Sequence, residues 1–176
     1  MQAWSHGMPA AAARRLRFAL AGMLLAAAPA LSLAQAMAKV GDAVSLPEIT
    51  LLDGRTLPAG HYAGKPVVIE YWASWCPFCA RQNPHLQKLT DATRGKGLEV
   101  LAISIDKQPG EARDYLAKHA YTFDAAMETD ALRAVFGKRR VIPEIFVIDA
   151  QGKLAEIIPG EMFEEDVLEL ARYAKP

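Results

Sequence analysis

Downstream of residue 48 the spacing of apolar side chains switches repeatedly between a period of two and a period near 3.6. Ile49 to Leu51 and Arg55 to Leu57 flank Asp53-Gly54, the pattern of a short hairpin with a tight turn. Val67 to Trp72 is apolar except for Glu70, which predicts a strand buried on both faces. From about Cys76 to Thr93 the pattern is helical, with Leu86 and Leu89 on one stripe, Pro84 as a kink, and Gly95 and Gly97 beyond the end. Leu98 to Ile105 reads as a second buried strand, closed by Asp106 and Pro109. Glu111 to His119 predicts a helix, Tyr121 to Ala125 a short strand, and Asp130 to Phe136 another helix. Glu144 to Ile148 and Lys153 to Ile158, joined by Asp149-Ala150-Gln151-Gly152, form a second hairpin pattern. The closing helix, about Glu164 to Ala174, puts Phe163, Val167, Leu170 and Ala171 on one side. Its acids stand at the start and Arg172 and Lys175 near the end, which suits the helix dipole. Strand–helix alternation followed by a hairpin and a helix implies an α/β fold. Its central sheet is mixed, parallel at first and antiparallel at its end, with helices on both faces.

The first 36 residues follow a different rule. Arg14, Arg15 and Arg17 precede an uncharged, alanine-rich run from Phe18 to Leu33, and Ala34-Gln35-Ala36 has the small-x-small form of a signal-peptidase site. The run contains Pro29 and is shorter than the ~20 residues a bilayer span needs. The expectation is a signal peptide over 1–36, with an uncleaved membrane anchor as the alternative, and one domain over 37–176. This division changes the charge balance. The chain of 176 residues has 20 basic and 20 acidic side chains. The three arginines of the leader have no acidic counterpart there, so the remaining domain is mildly acidic. With 52% hydrophobic residues the chain is too apolar for a disordered protein, and its charge gives no footing for nucleic acid.

Cys76 and Cys79 are the only cysteines, too few for a disulfide-stapled scaffold or a four-cysteine zinc site. They follow a predicted strand and open a predicted helix, where free N–H groups and the dipole favour a thiolate on Cys76. Cys76 is the candidate nucleophile and Cys79 the resolving thiol of a thiol–disulfide exchange. Pro77 suits the first helical turn because its missing N–H has no partner there. Two other readings stay open at this point. A structural disulfide across so short a loop would stabilise little. A copper or zinc site needs further soft ligands, and His85 falls on a different helical face.

The run Glu70-Tyr71-Trp72-Ala73-Ser74-Trp75-Cys76-Pro77-Phe78-Cys79 resembles the active-site segment of the thioredoxin superfamily. Gly64 to Ile69 before it, with Gly41-Asp42 and Pro47, resembles the secreted TlpA/ResA-like branch. Pro84 and Val141-Ile142-Pro143 resemble that family's helix-kinking proline and cis-proline loop. The resemblance covers about residues 40–174. It implies a thioredoxin-like three-layer sandwich with an N-terminal hairpin and a central insertion. It further implies a cis Ile142-Pro143 bond that sets Pro143 against the cysteine pair, and an apolar rim of Trp75, Pro77, Phe78 and Ile142 for a protein disulfide. The expected activity is periplasmic thiol–disulfide exchange with protein substrates by a monomer that needs no cofactor. The reducing direction is favoured, with apocytochrome c or copper-site thiols as substrates and a membrane thiol reductase as electron donor. A disulfide-introducing oxidant and a copper chaperone using the same thiols are the rival functions.

Three positions depart from the family pattern. Relatives of this branch often have Asn at the place of Glu70 and an acid at the place of Gln82, so Glu70 becomes the candidate proton acceptor for Cys79. Glu144 follows Pro143 where Thr is common; it either makes the dithiol more reducing or points into solvent. Lys138-Arg139-Arg140 reads as a solvated charge run, or as a basic patch for an acidic partner.

Overall fold

The computed structural model describes residues 37–174. The expected signal segment over 1–36, and Lys175 at the end of the closing helix, lie outside the described residues. Among the described residues no helix is long and apolar enough to cross a membrane.

Strands β1 (Ile49–Thr50) and β2 (Thr56–Leu57) form the small antiparallel hairpin. The main sheet holds β3 (Val67–Trp72), β4 (Glu99–Ser104), β5 (Asp124–Met127), β6 (Glu144–Ile148) and β7 (Leu154–Pro159) in the order β5-β4-β3-β6-β7. β3 is central, parallel to β4 and antiparallel to β6, and every one of its residues is buried. This explains its near-continuous apolar sequence, since both of its faces are covered. Strand alternation then divides the core. Val68 and Trp72 face α1 (Pro77–Thr93), α2 (Pro109–His119) and α4 (Glu164–Glu169) with Leu86, Leu89, Ala112 and Val167. Val67, Ile69 and Tyr71 face the opposite layer, where α3 (Asp130–Phe136) contributes Leu132 and Phe136 and the hairpin contributes Ile49 and Leu57. The fold is therefore the thioredoxin-like sandwich that the sequence resemblance implies.

The N-terminal segment also touches both flanks of the sheet. Leu51 bridges Ala126 of β5 and the Leu52 N–H donates to the Ala125 carbonyl at 2.7 Å. On the other flank Ala43 bridges Lys153, the Gly41 N–H donates to the Leu154 carbonyl at 2.8 Å, and the Leu154 N–H donates to the Asp42 carbonyl at 2.9 Å.

Two elements differ from the sequence pattern. β5 begins at Asp124, three residues later than expected. Ala120 ends α2 in the left-handed region (φ 54°), and Tyr121 and Phe123 stack on each other at 5.3 Å in the return loop before the chain meets Leu101 of β4. The closing helix is α-helical only to Glu169 and tightens to a 3-10 turn over Leu170–Tyr173. Phe163 is its N-cap in extended conformation and is 76% exposed, so helical periodicity does not reach it.

Candidate active site

β3 ends at Trp72, and the chain turns through Ala73, Ser74 and Trp75 before α1 starts at Pro77. Asp106, buried at the end of β4, holds this turn. Its carboxylate accepts from the Ser74 N–H at 3.0 Å, from the Ser74 hydroxyl at 2.8 Å and from the Ser104 hydroxyl at 2.7 Å. Sequence reasoning treats Asp106 only as a strand terminator. The available signal is Ser104-Ile105-Asp106, in which residues two apart share a side of the chain.

Cys76 is the N-cap of α1. Its sulfur accepts from the Cys79 N–H at 3.2 Å, in the place where an Asp or Ser oxygen usually sits. Pro77 occupies the first turn as expected. Cys76 and Cys79 are free thiols, both buried. The Ile142-Pro143 bond is cis, Pro143 is buried, and the Cys76 Sγ lies 3.7 Å from the Ile142 carbonyl oxygen. Trp75 and Phe78, on either side of Cys76-Pro77, are 64% and 51% exposed, Val141 is also exposed, and Ile142 is half-buried. The Arg81 guanidinium lies over the Phe78 ring at 4.7 Å and binds Glu161 through two 2.6 Å bonds.

Beneath the pair, Glu70 is fully buried on the α1 side of β3. Gln82, one turn past Cys79, donates from Nε2 to Glu70 Oε1 at 2.8 Å, while its own Oε1 accepts from the Met162 N–H at 2.6 Å. That second bond fixes which end of the amide faces the acid. With its amide nitrogen turned inward, Asn83 donates to Glu70 Oε2 and to the Cys79 carbonyl, both at 3.2 Å. Burial pushes the Glu70 carboxyl up from 4.5 to about 8, against the opposing effect of the Gln82 bond. Burial also pushes the Cys79 thiol well above its ordinary value, helped by its bond with Cys76 and by the charge of Glu70. Tyr115 of α2 packs on Trp72 at 5.3 Å, and its hydroxyl is likewise raised by burial.

Glu144 and Arg139 correct the sequence reading. Glu144 pairs in register with Tyr71, on the sheet face opposite α1. It neither approaches the thiols nor points into solvent, but accepts from Arg139. Arg139 is not part of a solvated run: its side chain is 4% exposed and its guanidinium lies over the Tyr71 and Phe146 rings at 4.4 and 4.7 Å. Lys138 and Arg140 are exposed. His85 faces Glu164 at 3.3 Å and stays apart from the sulfurs. Among the described residues no three His, Cys, Asp or Glu side chains are placed to hold a metal ion together.

Two neighbouring sulfurs, one capping a helix and the other held protonated by burial, can pass two electrons in separate steps. On this sheet that chemistry makes the protein a thioredoxin-like thiol–disulfide oxidoreductase. The chain belongs to the Redoxin family, whose model matches residues 39–173. It is 29% identical over 126 residues to the thiol-disulfide oxidoreductase ResA of Geobacillus thermodenitrificans, covering 71% of this chain and 72% of that one. ResA of Geobacillus kaustophilus is 28% identical over 130 residues, covering 73% and 74%. Among solved structures, a thiol:disulfide interchange protein of the thioredoxin family from Chlorobium tepidum superposes with a TM-score of 0.68 at 25% identity. That match covers 79% of this chain and 99% of the other.

Proposed function

We propose that this protein is an exported reductant of protein disulfides, acting through Cys76 and Cys79. The Cys76 thiolate attacks one sulfur of a substrate disulfide, forming a mixed disulfide and releasing the other sulfur as a thiolate. Cys79 gives its proton toward Glu70, in molecules where that carboxyl is ionised, and attacks the Cys76 sulfur. The substrate's second thiolate leaves and a Cys76–Cys79 disulfide remains, so two electrons pass to the substrate. A membrane thiol reductase then restores the dithiol. The observation that carries this reading is the Cys76 sulfur 3.7 Å from the carbonyl of Ile142. In that place a substrate strand paired with the loop brings its disulfide to the nucleophile. Trp75, Pro77 and Phe78 form the apolar rim, and Pro143 holds the loop against the pair.

Export rests on the arginine-led apolar segment ahead of residue 37. The periplasm is then the compartment, and exported cysteine pairs are the substrates, such as haem-attachment or copper-site thiols that must be kept reduced. The test is the reduction potential of the Cys76–Cys79 pair in redox buffers, with trapping by single-cysteine variants. A potential below about −200 mV supports the reductant, whereas one near about −120 mV assigns a disulfide-introducing oxidant instead. Cys79→Ser is expected to accumulate a mixed disulfide with a cystine peptide and Cys76→Ser none. The reverse pattern overturns the assigned roles.

A further inference from the structure

One buried guanidinium closes the loop that holds Ile142 and Pro143. The loop leaves α3 at Gly137 and re-enters the sheet at Glu144, the first residue of β6. Arg139 bonds to both ends of that excursion. Its Nη2 donates to the carbonyl of Phe136 and, at 2.8 Å, to that of Gly137, while Nη1 donates to Glu144. These two carbonyls belong to the C-terminus of α3, where a cation is favoured. The rings of Tyr71 and Phe146, edge to face with each other, cover the planar group from the sheet side. The Gly160 N–H ties down the third side by donating to the Pro143 carbonyl at 2.8 Å. What remains outside these ties is the stretch 140–142, whose last carbonyl faces Cys76.

We propose that Arg139 and Glu144 are positioning residues for protein substrates. They hold the Ile142 backbone at the spacing from Cys76 that a paired substrate strand requires, and take no part in thiol chemistry. The inference rests on the reading of this loop as the docking edge for protein disulfides. Lysine at 139 keeps the charge but lacks the planar fork that reaches three acceptors at once. Glutamine at 144 keeps an acceptor oxygen and removes the ion pair.

The experiment compares Arg139→Lys and Glu144→Gln with the wild type on two disulfides: the interchain bonds of insulin, which need backbone docking, and a small aromatic disulfide, which does not. Expected is a rise of about tenfold in KM for insulin at nearly unchanged kcat, with the small-disulfide rate within about twofold of wild type. Equal losses on both disulfides, or no change on either, overturn the proposal. Failure of both variants to fold overturns it too, because the pair would then serve the fold and not the loop. A wild type that reduces neither disulfide sinks the proposed function itself, whereas an active wild type with equal losses in the variants sinks only the positioning role.

Discussion

Glu70 stands opposite Ala102 on the parallel neighbour strand, so the sheet offers its carboxylate no cation. The bond from Gln82 at 2.8 Å comes instead from the helix that holds the cysteines. The buried acid on β3 and the resolving thiol on α1 are thus tied to the same helix.

The raised carboxyl of Glu70 makes stability depend on pH. Between 4.5 and about 8 the folded protein holds a proton that the unfolded chain has released. Stability from this group is therefore complete below about 4.5 and declines as pH rises through about 8. Glu70→Gln should remove that decline, whose slope is at most about 1.4 kcal/mol per pH unit. Urea unfolding of the reduced proteins at pH 5 and pH 8 should show a larger advantage for the variant at the higher pH. Equal differences at both values would place the proton elsewhere. The same variant should lose the pH dependence of mixed-disulfide resolution near pH 8.

The Gln82 bond predicts a tradeable pair. Gln82→Glu alone sets two carboxyls against each other, and they cannot both ionise. Glu70→Asn combined with Gln82→Glu returns one acid to the buried site, and the Met162 N–H keeps an acceptor. A double-mutant cycle on disulfide reduction should give a coupling of about 1–3 kcal/mol, with the double variant faster than either single one. Additive effects would separate the two residues.

Asp106 is the predicted anchor of the turn before Cys76. Asp106→Ala strands the Ser74 N–H and two hydroxyls and should cost about 3 kcal/mol in urea unfolding. Alkylation of Cys76 by iodoacetamide should change rate in the same variant, because Ser74 is only two residues away. A cost below about 0.5 kcal/mol would show that the turn holds itself.

Trp75 and Phe78 should separate binding from folding. Both are more than half exposed, so Trp75→Ala and Phe78→Ala should leave unfolding within about 0.5 kcal/mol of wild type. Trapping of an insulin chain by Cys79→Ser should slow several-fold when either substitution is added. Unchanged trapping would remove the rim from substrate contact.

The elements nearest the cysteines were legible because their patterns are strong. β3 is apolar because both faces are covered, and α1 has buried residues at 79, 82, 83, 86, 89 and 93 on one helical stripe. Gln82 was read as a departure at the right place, but its bond to Glu70 depends on the contact of α1 with β3. In sequence Arg139 reads as part of a solvated run, which is wrong, and Asp106 as a strand terminator, which is right but leaves out its hold on Ser74. Arg139 finds its polar acceptors within five residues, but the Tyr71 and Phe146 rings that cover it belong to sheet strands, and Ser74 reaches Asp106 from 32 residues away; local composition records the charge and not these neighbours. β5 shifted because the stacked aromatic residues of the return loop resemble strand residues in composition.

The segment at residues 41–52 has a consequence for selectivity. By pairing at Leu51–Leu52 with one sheet edge and at Gly41–Ala43 with the start of the other, it occupies backbone that a foreign strand would otherwise use. A protein substrate brings many extended stretches and few cysteines. With β5 and the start of β7 taken, such a stretch has less open backbone to pair with away from the sulfur.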